Sequence, residues 1–144
     1  MPRTTNVDNC TETIDSRDII DRIEALQEER QDWIEQGGEI PLDSPEWAAA
    51  ANAWAIENGE DAAELAALQR LAEEAEGYAE DWHHGEILIR DSYFTEYARE
   101  MLEDCGTIPR DLPWWAEIDW EATARNVRAD YTAVDFDAVT YWIR

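Results

Sequence analysis

Lysine is missing from this chain. All 11 basic residues of its 144 are arginine, set against 35 aspartates and glutamates, for a formal net charge of −24. A soluble small domain needs a net charge magnitude of only about 2–8, and the surplus costs stability through self-repulsion. The shortage of positive charge argues against a protein that itself grips nucleic acid by its phosphates. Cysteine is scarce as well: Cys10 and Cys105 stand apart, with no CxxC and no framework of pairs, which fits a reduced, cytosolic compartment. No apolar run approaches the ~18 residues of a membrane span, and no signal peptide is read ahead of the first charged segment. GxGxxG, P-loop, GxSxG and HExxH patterns are absent, as are fixed-period repeats and low-complexity tracts.

What is present suffices for a core: 44% hydrophobic residues and eight tryptophans. The patterning predicts an α+β fold that is predominantly α-helical, with about five helices and a small C-terminal β-hairpin. Residues 1–14 read as a flexible N-terminus, 15–85 as an acidic helical region and 86–144 as a C-terminal region ending in the hairpin. Asp15 or Ser16 is placed to cap a helix that runs to a Gly37-Gly38 stop, with Ile19, Ile23, Leu26, Trp33 and Ile34 inward. Ser44 and Pro45 mark the N-cap and first position of a second helix carrying Trp47 and Trp54, stopped by Gly59. A third is expected from Glu60 to about Trp82, placing Leu65, Leu68, Leu71, Ala75, Tyr78 and Trp82 inward. Glu86–Ile89 reads as extended. Asp91 is expected to cap a helix to Asp104, and Asp119 a short one from Trp120 to about Ala129, with a proline-bearing loop between them.

The acidic residues are patterned. At 100° per residue, Asp21, Glu24, Glu28, Asp32 and Glu35 fall opposite the apolar face of the first helix. Glu57, Glu60, Asp61 and Glu64 form a second group, Glu73, Glu76 and Glu80 a third, and Glu96, Glu100 and Glu103 a fourth. Solvated helices ordinarily mix signs, because like charges at i,i+4 lose roughly 0.2–0.5 kcal/mol. The first stripe spans about 21 Å at ~1.5 Å per residue, roughly one carboxylate every 4–5 Å. A DNA strand has about 3.4 Å of axial rise per phosphate. Several such helices side by side would present phosphate-like charge to a basic groove. Two other sources of acidity compete: a halophile's solvation strategy, and a GC-rich genome. The latter explains arginine in place of lysine but not the surplus of carboxylates.

Candidate chemistry is thin. Glu80, His83 and His84 share a helix face in this reading but lack the third histidine or cysteine of a zinc site, so no metal is expected. Asp119 and Glu121 fit a helix cap and its dipole better than an acid/base pair. Cys105 faces no evident base. No catalytic residue and no cofactor is expected.

The last eleven residues, VDFDAVTYWIR (134–144), read as two strands folded back near Asp137-Ala138, where a tight hairpin prefers Asp-Gly. Together with the residues before it, IDWEATARNVRADYTAVDFDAVTYWIR (118–144) resembles the closing segment of ArdA-type antirestriction proteins. AEDWHHGE (79–86), then Asp91-Ser92, Phe94 and Tyr97-Ala98, ending EDCG (103–106), is similar to that family's preceding stretch. The likeness covers about 78–144; the N-terminal half does not match the family's N-terminal domain, and the chain is somewhat short. The resemblance implies an acidic, elongated DNA mimic, in that family often a homodimer, that occupies the DNA groove of a type I restriction enzyme and is carried by a phage or plasmid. The partner expected is therefore a host DNA-binding defence complex, a restriction enzyme or a CRISPR effector, with no direct nucleic-acid or membrane contact. The alternative is a helical adaptor or anti-CRISPR protein that binds through its Trp and Tyr side chains, with acidity serving solubility.

Overall fold

The first helix begins where its cap predicts. The computed structural model describes residues 7–144, and in it Asp15 accepts a hydrogen bond from the Arg17 backbone N–H at 2.9 Å to open α1 (Ser16–Glu35). Ser44 caps α2 (Pro45–Glu57) through the Trp47 N–H, and Asp119 caps α5 (Trp120–Arg128) through the Ala122 N–H. Each cap supplies an acceptor to one of the four N–H groups that a helix start leaves unpaired. Between α2 and α5 lie α3 (Gly59–Glu76) and α4 (Phe94–Asp104), the latter led in by a 3-10 turn over Asp91–Tyr93.

Four strands form one antiparallel sheet, β1 (Thr13–Asp15), β2 (Ile87–Arg90), β3 (Thr132–Phe136) and β4 (Val139–Ile143), in the order β1-β2-β4-β3. The fold is thus α+β and mostly helical. Alternation along the strands gives the sheet two apolar faces. Ile14, Leu88, Tyr141, Ile143, Val134 and Phe136 pack with the helical layer of α1, α2 and α3, around Ile19, Leu26, Trp54, Leu68, Leu71 and Trp82. Ile89 and Trp142, paired across β2 and β4, face the other way and join Phe94, Ala98 and Ala124 of α4 and α5. The larger cluster draws on residues from Val7 to Ile143, so the expected boundary at 85/86 is not a structural division. β1 and β2 pair across it.

The expected flexible terminus is also corrected for residues 7–14; residues 1–6 lie outside the described residues. Val7 is buried, and the Tyr141 hydroxyl donates to the Thr11 carbonyl at 2.5 Å. Burial raises the Tyr141 pKa to about 12, so the phenol remains a donor at neutral pH. Asn9 donates to the Asp137 carbonyl and Arg90 to the Asn9 carbonyl, which straps this segment across the sheet.

The third helix is shorter than its periodicity predicts. It ends at Glu76, and Tyr78, expected inward, is 57% exposed, while Trp82 is still buried. Gly77 sits at the helix C-cap, and a contact 66 residues away in sequence holds the chain beyond it. The buried Ser16 hydroxyl donates to the Trp82 carbonyl at 2.6 Å and accepts from the Glu86 N–H at 2.8 Å. Those bonds draw residues 82–86 to the start of α1, which a helix continued to Trp82 would not reach. Gly59, expected as a stop for the second helix, instead opens α3, the break being made by Asn58 in a non-helical conformation.

At the C-terminal hairpin, Phe136 pairs with Val139, leaving Asp137 and Ala138 as a two-residue loop. Both have positive φ, 49° and 70°, the signature of a type I′ turn. The left-handed region costs a non-glycine residue about 1–2 kcal/mol. Part of what glycine would recover is lost to its greater freedom in the unfolded chain, about 0.4–1 kcal/mol. Ala138→Gly is therefore expected to stabilise the protein by about 0.5–1 kcal/mol, read as a higher urea midpoint at unchanged slope. A lower midpoint would show that the turn is not strained at Ala138.

Candidate partner-binding surfaces

The α1 stripe is displayed as its spacing predicts. Ile19, Leu26 and Ile34 are buried, while Asp21, Glu24, Glu28, Asp32 and Glu35 are all exposed. Among the described residues none of the five lies within ion-pair distance of an arginine; Arg17 at the start of the helix is held by Asp15 at 2.6 Å. Glu35 accepts a hydrogen bond from Gln31, which leaves its charge in place. The row stays straight and outward because the opposite face of α1 packs on α2 and α3.

The other three groups fare differently. Glu57 ends α2 while Glu60, Asp61 and Glu64 open α3, so the break at Asn58 takes Glu57 out of the expected helical register. Glu64 makes a two-pronged bond to Arg22 of α1, 2.8 and 3.0 Å, both side chains about one-third exposed. Hydrogen bonding to Glu64 raises the Arg22 pKa further above its ordinary value, so the guanidinium stays charged. Half-solvated as it is, the pair adds at most about 1 kcal/mol and subtracts one carboxylate from the group. Glu60, Asp61 and Glu64 instead line a cleft of about 510 Å3 with Asp8 and Asp137. Sequence periodicity could not find those two, since the N-terminal strap and the hairpin turn meet only through tertiary contacts.

Glu73 and Glu76 are exposed on α3, but Glu80 lies beyond the end of the helix and does not continue their row. The same early end removes Glu80, His83 and His84 from a shared helix face; His83 lies 2.9 Å from Glu76 instead. No group of three or more His, Cys, Asp or Glu among the described residues could hold a metal ion. Glu96, Glu100 and Glu103 are exposed on α4, where Arg99 bonds Glu103 at 3.1 Å and the Tyr93 hydroxyl donates to Glu100. α4 sits on the far face of the sheet from α1 and α3. The four groups therefore do not form one lattice: a sheet stands between the first and the fourth.

Tryptophans divide unexpectedly. Trp54 and Trp82 are buried, and Trp33, Trp47, Trp120 and Trp142 are half-buried. Trp47 donates to the Gln31 side-chain oxygen and lies under the Arg30 guanidinium, 5.0 Å from the ring centre. Trp114 and Trp115 are 93% and 70% exposed, the most open indoles among the described residues. They occupy the tip of a turn closed by the Ala116 N–H donating to the Pro113 carbonyl at 2.9 Å. Pro113 beside a Trp-Trp pair was the available signal, but tryptophan composition alone favours the core. Among the described residues, no helix is long and apolar enough to cross a membrane. No protein-family model, curated protein or solved structure matches this chain.

Proposed function

We propose that the chain is a non-enzymatic inhibitor of mobile-element origin that acts in the host cytoplasm. It presents the α1 carboxylates to the DNA-binding groove of a defence complex, a type I restriction enzyme or a related nuclease. The observation that carries this reading is the five-carboxylate row on α1, exposed along its length and without an arginine partner among the described residues. A row of like charges at i,i+3 and i,i+4 weakens its own helix, so an opposite charge supplied from outside relieves a cost built into the fold. The resemblance of residues 78–144 to antirestriction proteins supports the same class of target.

The test is binding to a purified type I restriction enzyme at rising salt, with and without competing duplex DNA. Affinity is expected to fall roughly 100-fold between about 50 and 200 mM salt, as the basic groove regains the counterions it released. Duplex DNA should compete. Binding that is indifferent to both salt and DNA would remove mimicry from consideration. A second reading, an adaptor acting through an aromatic surface with acidity serving solubility, is favoured by the exposure of Trp114 and Trp115. It predicts salt-insensitive binding.

A further inference from the structure

The connection between α4 and α5 buries little of its own apolar content. Leu112 is 42% exposed, Trp114 93% and Trp115 70%, where indoles elsewhere in the chain are buried or half-buried. Two features show that this is not a floppy tail. The Pro113–Ala116 turn is closed by a 2.9 Å backbone hydrogen bond, which fixes the backbone that carries the two indoles at its tip. Pro109 and Pro113 also restrict the backbone ahead of them. A backbone ordered before binding loses little freedom on binding, and tryptophan is among the residues most enriched where interface energy concentrates. Beside the turn, the same loop walls a cleft of about 510 Å3 with Gly106, Ile108 and Pro109.

Charge limits what can cover this surface. Asp111 and Glu117 flank the indoles and are exposed, Glu103, paired with Arg99, borders the cleft, and Arg110 is the one basic residue of the loop. A second copy would bring the same carboxylates and another net charge of −24 against them. Membrane-surface segments that insert tryptophan surround it with Lys and Arg, to match anionic headgroups, and this loop does the reverse. A basic protein surface satisfies both the indoles and the carboxylates. We propose that the Pro113–Ala116 turn is an apolar anchor that inserts Trp114 and Trp115 into a hydrophobic pocket rimmed by Lys or Arg on another protein. This surface belongs to the connection between α4 and α5, the helices that pack on the face of the sheet opposite α1, and does not depend on the mimicry reading.

The experiment selects displayed random peptides on the immobilised full chain at about 0.3 M salt, where long-range attraction is screened. Binders are then counter-tested on W114A/W115A. The peptides retained should combine Lys or Arg with large apolar residues and bind W114A/W115A at least tenfold more weakly. W114F/W115F, which keeps aromatic contact, should restore most of the binding and so separate contact from folding. D111K/E117K, with both indoles intact, should lose the basic peptides at low salt. Peptides that bind wild type and W114A/W115A equally, or no enrichment at all, would overturn the proposal. So would Trp-dependent dimerisation in sedimentation, or a Trp-dependent fluorescence blue shift on phosphatidylcholine/phosphatidylglycerol vesicles, each naming a different occupant.

Discussion

Reversing Glu24, Glu28 and Asp32 to lysine should weaken inhibition of the target nuclease at least about 100-fold and leave the fold slightly more stable. The three side chains are exposed on the outward face of α1. At an exposed interface a unit charge at about 4 Å contributes roughly 1 kcal/mol or more. Each reversal removes an attraction and adds a repulsion, so three together exceed the ~2.7 kcal/mol that corresponds to 100-fold. The stability change runs the other way. Reversal of these three creates new opposite-charge neighbours with Asp21 and Glu35, while Glu24, Glu28 and Asp32 exchange one set of like charges for another. The net effect is a few tenths of a kcal/mol at most. Inhibition assays and thermal melts on the same preparation check both halves. Full inhibition by a stably folded triple variant would sink the mimicry reading, and would shift weight to the Trp114 turn.

Phe94→Ala should have the opposite profile, unfolding easily while still inhibiting when folded. Phe94 is wholly buried at the centre of the smaller core, with the Tyr131 ring edge-on at 5.1 Å, Tyr97 at 5.9 Å and Trp142 at 6.2 Å. The Arg128 guanidinium lies 5.5 Å from its ring and 5.2 Å from that of Trp142, within ion-pair reach of Asp91 at 3.8 Å. Trp142 also donates to Asp91 at 2.9 Å, which ties β4 to the turn leading into α4. Truncating a buried Phe removes its transfer free energy and leaves a cavity, together about 3–5 kcal/mol. In a chain of this size that is a fall in melting temperature of roughly 10–15 °C. Calorimetry measures the fall, and hydrogen exchange should show α4 and α5 opening before α1 and α3, whose core is separate. A fall below about 3 °C would mean that α4 and α5 are not held through this ring. Set beside the lysine variant, Phe94→Ala separates what keeps the protein folded from what is proposed to bind.

Much of the local structure was legible because its causes are local. Asp15, Ser44 and Asp119 announce helix starts, since a cap bonds an N–H two or three residues on. The outward position of the α1 row follows from the angle between Ile19, Leu26 and Ile34 and the carboxylates, and a 20-residue helix preserves that angle. The hairpin was legible by alternation, although not its start at Thr132. What misled was periodicity continued past its cause: Tyr78 and Trp82 keep helical spacing after α3, but the chain has already turned.

The sequence by itself determined the starts of α1, α2 and α5, the α1 row of carboxylates and the two-residue turn at Asp137-Ala138, but not the start of α4, where Asp91, expected as the cap, lies in a 3-10 turn and makes no cap bond. Spacing and charge act over a few residues, and no later packing alters them. Only the tertiary structure decided the rest. Ser16 bonding Trp82 and Glu86 fixed the path of the chain after α3, and Arg22 of α1 drew Glu64 into an ion pair. The sheet put α4 on the far side from α1, so four acidic groups became one continuous row and several scattered ones. The exposed Trp114 and Trp115 were decided there too. Whether an indole is buried depends on whether some distant element arrives to cover it, and none among the described residues does.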